Sequence, residues 1–326
     1  ATGGLDDSQL RTVEERANYL KELQERKETI LAAIEEQGKL SDALKEQILA
    51  CETKARLEDL YLPYKKRRKT KADIAREAGL EELTDKLIAD PNAAPEELAQ
   101  GFVTEGFEDT KKALDGARAI LVDRFALDAD LVGEVRERMF TEGSMGAHVV
   151  EGKEAEGAKF KDYFDFNEPF HKLPSHRILA LLRGENEGVL QLQLDAGDDA
   201  DYEDAIASRF ELDRSSKWLA DAVHWGWRTK LYISSSLDVR MRLKEIAEEG
   251  ALKIFATNLR DVLLAAPAGQ RSTIGLDPGY RNGVKCAVVD KTGKVLDTAI
   301  VYPHQPQNQW SQAVQTLSTL LSLIHI

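Results

Sequence analysis

Hydrophobic positions over most of the chain recur at helical spacing. Leu10, Val13, Ala17, Leu20, Leu31 and Ile34 lie on one stripe, separated by sums of three and four residues. Gly38 supplies a stop and Ser41 the next cap. Helix is predicted again from Asp42 to Tyr61, where Pro63 breaks it. Thr70-Lys71-Ala72-Asp73 has the form of a capping box, and Gly79 ends that short helix. The helix, glycine turn and helix over about 70–90 read either as a helix-turn-helix or as an ordinary helical hairpin. Longer helices are predicted over 109–125 and 130–140. From Gly143 to Pro174 the helical period disappears, which predicts a short strand-and-loop insert. Ser175 then starts a helix through Arg183, and Gly188 to Leu194 alternates like a strand. The acidic run Asp195 to Asp204 reads as a solvated turn. Two helices follow over 216–265, the second carrying Leu252, Phe255, Leu259 and Val262 at spacings of three and four.

After Pro267-Ala268-Gly269 the pattern changes. Thr273 to Leu276 is a short apolar run leading to Asp277-Pro278-Gly279. Val284 to Val289 and Val295 to Tyr302 read as two more strands around a turn at Asp290-Lys291-Thr292-Gly293, and Gln307 to Leu323 as an amphipathic helix. This order, with an aspartate closing the first strand, is how an RNase H-like fold opens. The predicted fold class is therefore mainly α with a partial α/β end: a multi-helical N-terminal region, then the first three strands and helix of an RNase H-like domain. The expected divisions are a helical region over 1–195, an acidic linker with long connecting helices over 196–270, and the incomplete α/β domain over 272–326.

Composition narrows the function. A length of 326 residues calls for two or more domains. The net charge of −13 excludes a protein that coats DNA without specificity, because counterion release needs lysine and arginine facing phosphate. A local basic patch stays compatible with that charge. Cys51 and Cys286 lie far apart with no C-x-x-C, which reads as two free thiols in a cytoplasmic protein. No apolar run reaches the roughly 20 residues a bilayer span needs, so no membrane association is expected. Ala1 is not an initiator methionine, and an upstream segment is expected to be missing.

Two stretches carry candidate chemistry. In Gly275-Leu276-Asp277-Pro278-Gly279-Tyr280-Arg281-Asn282-Gly283, Asp277 stands where an RNase H-type nuclease places its first Mg²⁺ ligand. Gly279 and Gly283 would permit positive φ and close approach to a nucleotide. Such catalysis needs further carboxylates holding two ions ~4 Å apart. Asp290 and Asp297 lie on the hairpin and are poor candidates for that role. Asp277 thus reads as a vestigial ligand or a capping turn residue, with no catalytic residue and no bound metal or cofactor expected. Actin-like and sugar-kinase folds open similarly around phosphate, which keeps nucleotide binding as an alternative beside a Mg²⁺-dependent nuclease or resolvase. The second stretch, Lys65-Lys66-Arg67-Arg68-Lys69-Thr70-Lys71, places six basic side chains in seven residues. It reads either as a phosphate grip or as solvated surface paired with nearby acids. The six histidines show no H-x-x-x-H pair, which argues against zinc. Trp218, Trp225 and Trp227 share one helical segment, where burial in a core is the expected fate and base stacking the alternative.

Arg56-Leu57-Glu58-Asp59-Leu60-Tyr61-Leu62-Pro63-Tyr64-Lys65 with the basic run closely resembles the N-terminal region of the Tex family of bacterial transcription accessory proteins. Pro174-Ser175-His176-Arg177, Leu179-Ala180 and Arg183-Gly184-Glu185 agree with it, as does the Gly275–Gly283 turn. Tyr302-Pro303-His304 and Pro306-Gln307-Asn308-Gln309-Trp310 resemble the family's YqgF-type RNase H-like domain. The resemblance runs from about Leu10 to Leu321. It implies a factor that binds RNA, and DNA besides, works with the transcription machinery and is a monomer in its parent protein. It also implies a YqgF-like domain without the full nuclease carboxylate set. The helix-hairpin-helix repeats and OB-fold domain of the family do not occur here. Ser322-Leu323-Ile324-His325-Ile326 departs from the family pattern and is expected to be a non-native end. A sheet stopped after three strands is expected to leave an unpaired edge.

Overall fold

The computed structural model describes residues 4–66, 68–266, 269–279 and 282–324. Helices α1 (Asp7–Glu36), α2 (Asp42–Ala50) and α3 (Lys54–Tyr61) come first, then α4 (Lys71–Glu77), α5 (Leu80–Ala89), α6 (Pro95–Gln100), α7 (Thr110–Leu127) and α8 (Ala129–Glu142). Strand β1 (Ser144–Val149) is followed by β2 (Asp165–Pro169), α9 (Ser175–Asn186) and β3 (Leu190–Asp195). Helices α10 (Asp199–Arg209), α11 (Lys217–Gly226) and α12 (Tyr232–Leu263) complete the helical region. The chain ends with β4 (Thr273–Gly279), β5 (Gly283–Val289), β6 (Val295–Val301) and α13 (Trp310–Ser322). The chain is mainly α with a partial α/β end. It divides into two compact units, residues 1–252 and 253–326, the division falling within α12.

Three apolar clusters organise the first unit. In the first, Leu23, Ile30 and Ile34 of α1 close on Ile48, Leu57 and Leu60 of α2 and α3. The stripe read from the sequence holds only in its second half, since Leu10, Val13 and Leu20 are exposed. Tyr19 is the first residue of α1 that packs against this cluster, and the turns before it are exposed. Residues 42–61 form two helices, not one. Cys51 leaves the helical conformation, and the Thr53 side chain accepts the Arg56 amide to start α3.

The second cluster packs α4, α5 and α6 on α7. Gly79, at φ +82°, turns the chain between α4 and α5. Close approach to α7 is possible because Gly116 carries no side chain. A Cβ there would lie 2.5 Å from Leu80 Cδ1 and 2.8 Å from the Phe107 ring. The third and largest cluster joins α7–α12 to an antiparallel sheet of order β2-β1-β3. Gly226 plays on α11 the part that Gly116 plays on α7, since its Cβ would meet the Phe125 ring at 2.7 Å. The acidic stretch expected as a solvated turn instead enters α10. Asp198 accepts the Ala200 amide, Asp199 and Asp201 sit in the first turn where negative charge suits the helix dipole, and Tyr202 and Ile206 are buried. Between α11 and α12, residues Trp227–Leu231 form a single π-helical turn within one continuous helical run.

In the second unit β4, β5 and β6 form an antiparallel sheet in that order. Cys286, Val288 and Val301 of one sheet face pack with Ala313 and Leu320 of α13. Leu276, Val295 and Ile300 are exposed. Strand β4 is an edge strand and is exposed along most of its length, with only Ile274 packed against the cluster that α13 covers.

Candidate nucleic-acid interface

The basic run is a connector held at both ends. At its start, Leu62–Tyr64 forms one 3-10 turn, and Gln37 Nε2 donates to the Tyr64 carbonyl at 2.9 Å. At its end, Thr70 and Asp73 complete a reciprocal capping box. Asp73 N donates to Thr70 Oγ1 at 3.2 Å, and Thr70 N donates to Asp73 Oδ2 at 2.9 Å. Arg76 then ties α4 to α7 through Asp123, at 2.9 Å. Between these anchors Lys65, Lys66, Arg68 and Lys69 are exposed, as is Lys71 at the start of α4; Arg67 lies outside the described residues. Lys69 Nζ reaches Glu77 at 2.8 Å. The other four described cations have no ion-pair partner among the described residues. The run is anchored at both ends and its described charges face water, which is the arrangement a phosphate-binding surface needs.

The Asp277 turn is built differently. Asp277 is exposed on β4, in register with Lys285 of β5. Gly283 adopts φ +75°, and a Cβ on it would strike the Tyr302 ring at 2.7 Å. Gly279, expected at positive φ, is not among the residues that adopt it; a Cβ there would lie 2.8 Å from the Gly283 carbonyl oxygen. Gly275 meets its nearest neighbour, the Ala287 carbonyl, only at 3.9 Å. Both close approaches are thus made to the protein's own backbone and side chains. Asp290 Oδ1 accepts from Thr292 N, Thr292 Oγ1 and Lys294 N, and the hydroxyl bond from Thr292 is the main reason its carboxyl is held below the usual range. Asp297 Oδ1 lies 2.8 Å from the Thr298 amide. Among the described residues no three His, Cys, Asp or Glu side chains gather into a set able to hold a metal ion.

The three neighbouring tryptophans meet different fates. Trp227 is fully buried and Trp218 partly so, but Trp225 is 52% exposed. Sequence reasoning that assigned the segment to the core missed this residue. Among the described residues, no helix is long and apolar enough to cross a membrane.

Comparison with known proteins adds identity to this geometry. Residues 1–35 match the model of the Tex-like protein N-terminal domain, 271–326 the Tex protein YqgF-like domain, and 90–255 the Tex central region, the last running over half of the chain. The chain belongs to the Tex family. It is 55% identical to the transcriptional accessory protein Tex of Neisseria gonorrhoeae, over 98% of this chain and 43% of that protein. Protein tex of Bordetella pertussis is 49% identical over the same shares. A human relative, S1 RNA-binding domain-containing protein 1, is 29% identical over 96% of this chain and 33% of its own length. This Tex-family chain thus spans less than half the length of the curated relatives it matches.

Proposed function

We propose that this chain is the scaffold portion of a cytoplasmic transcription accessory factor that binds nucleic acid, acts with the transcription machinery and performs no catalysis itself. The observation that carries this reading is the anchored connector, with Lys65, Lys66, Arg68 and Lys71 exposed and without ion-pair partners among the described residues. The names of its relatives support it, one a transcriptional accessory protein and one an S1 RNA-binding domain-containing protein. RNA is the proposed ligand, with DNA as a weaker one, and a monomer the proposed state. Titration of single-stranded RNA at several salt concentrations tests it. Changing Lys65, Lys66 and Arg68 to glutamate should weaken binding and flatten the log–log salt slope by about 2, since each phosphate contact on a single strand contributes roughly 0.7. An unchanged slope would reduce the run to solvated surface.

The non-catalytic part of the proposal is supported by Asp277 standing exposed on β4, while the Asp290 carboxylate is committed to its own turn. RNA, duplex DNA and branched DNA incubated with the chain and Mg²⁺ should remain intact. Cleavage that requires Mg²⁺ and disappears in Asp277→Asn would establish a nuclease instead.

A further inference from the structure

A cavity of about 470 Å³ opens in the first unit, where α4 and the α11–α12 run both meet α7. Its volume falls within the range that holds small ligands, roughly 300–1,000 Å³. Thr70 and Lys71 line it from the end of the basic connector, Arg118 and Val122 from α7, Trp225 from the end of α11 and Lys230 from within the π-helical turn. We propose that this cavity binds one nucleotide of a single-stranded RNA, its base stacked on Trp225 and its phosphates held by Lys71 and Lys230. The inference rests on the nucleic-acid reading above and locates where a base, as distinct from the phosphate backbone, is held.

Four observations carry it. First, Trp225 leaves half its surface in water although its neighbours Val223, Gly226 and Trp227 are buried. Second, the ring already takes part in a cation–π contact, and the helix that carries it is braced beside it. The Arg118 guanidinium carbon lies 5.1 Å from its centroid, and Thr229 Oγ1 donates to the Trp225 carbonyl at 2.7 Å. Arg118 and Trp225 line the cavity together, and a guanidinium beside an aromatic ring adds a cation–π contribution to base stacking there. Third, the lining leaves positive charge available to an anion. Its two carboxylates are engaged, Asp115 by Arg118 and Asp123 by Arg76, whereas Lys71 and Lys230 have no ion-pair partner among the described residues. Fourth, the π-helical turn sets positions 229 and 230 on the same cavity as Trp225, and such turns recur at functional sites. Lys71 ends the exposed cationic connector, so one strand can run along the connector and place a base in the cavity.

The test is fluorescence anisotropy with a labelled oligouridylate and with an abasic oligomer of the same backbone. The unmodified chain should bind oligouridylate more tightly than the abasic oligomer. Trp225→Ala should weaken oligouridylate binding about 5- to 150-fold, the range for loss of one base–aromatic stack. It should leave abasic binding unchanged, and Trp225→Phe should keep most of the affinity. Replacing Lys71 and Lys230 with alanine should weaken both ligands. Oligouridylate binding that is tight and indifferent to Trp225→Ala, or equal for the two oligomers, overturns the cavity while leaving the nucleic-acid reading intact. Failure of the unmodified chain to bind either oligomer overturns both.

Discussion

Trp227→Ala is expected to destabilise the first unit by about 3–5 kcal/mol, the range for removing a large aromatic from a packed core. The indole is fully buried, stacked on Tyr202 with centroids 4.1 Å apart and planes 6° from parallel, and edge-on to Tyr232 at 5.6 Å. Its Nε1 donates to Asp199 Oδ1 at 2.7 Å, so truncation removes packing and a hydrogen bond together. Both tyrosines are held from beyond by backbone carbonyls, Tyr202 by Ala196 at 2.8 Å and Tyr232 by Leu194 at 2.6 Å, and neither can swing freely into the space left. A lower urea midpoint by far-UV circular dichroism checks it, with Trp227→Phe expected to fall between. Tyr202 provides a second readout, because burial pushes its hydroxyl from 10 up to about 12. Unfolded Tyr202 ionises first, so its contribution is full below pH 10 and is lost as pH rises toward 12. Water entering the cavity of Trp227→Ala should move that titration back toward the ordinary value. A midpoint equal to the unmodified chain's would mean that the stack is dispensable.

The second large effect sits where the N-terminal helices meet the central ones. Asp59 of α3 receives two bonds from Arg136 of α8, from Nη2 at 2.6 Å and Nη1 at 3.1 Å, and the side chains are only 11% and 13% exposed. Asp59→Ala leaves the guanidinium buried without its main partner, for which about 3–5 kcal/mol is the usual cost. Asp238 lies 3.3 Å away and half exposed, and its residual attraction should hold the loss near the lower end. Pairing Asp59→Leu with Arg136→Met should recover most of the loss, because replacing both members of a buried pair with apolar groups is often near neutral. Chemical denaturation of the single and double variants decides this. A double variant no better than Asp59→Ala would point to a packing role for Asp59 instead.

Local rules carried much of the fold into the sequence. The capping box at Thr70, the Gly79 turn, and the hairpin-then-helix order after Thr273 all appear where local chemistry puts them. What failed depended on tertiary partners. Leu10 and Val13 have the helical period but are exposed, and the acidic run hid a helix whose three buried residues, Tyr202, Ile206 and Ala207, stand among many polar ones. The candidate interface was half legible. A dense cationic run announces itself, but whether its charges are paired is decided by acids distant in sequence. Trp225 was recoverable in principle: at about 100° per residue it stands well away from Val223 and Trp227 around the helix, so the core that takes those two leaves it outside. The cavity it lines was not recoverable, because Lys71 and Trp225 lie far apart in sequence on helices that meet only in the folded chain, both against α7.

The π-helical turn has a consequence for how this part of the chain tolerates changes in length. An extra residue is absorbed there by one widened turn, and Leu219 and Val223 before it, like Val239 and Leu243 after it, still reach apolar neighbours. Deleting one of residues 228–230, which lie between the buried Trp227 and Leu231, would relax the turn to an ordinary α turn and largely spare the core, at the expense of the position Lys230 holds on the cavity. The same deletion a few turns later in α12 has no such buffer and would rotate every following side chain by about 100°, carrying Val239, Leu243 and Ala247 out of the core. Single-residue deletions in this long helical run should therefore be tolerated at residues 228–230, where they would alter ligand contact and leave the fold in place.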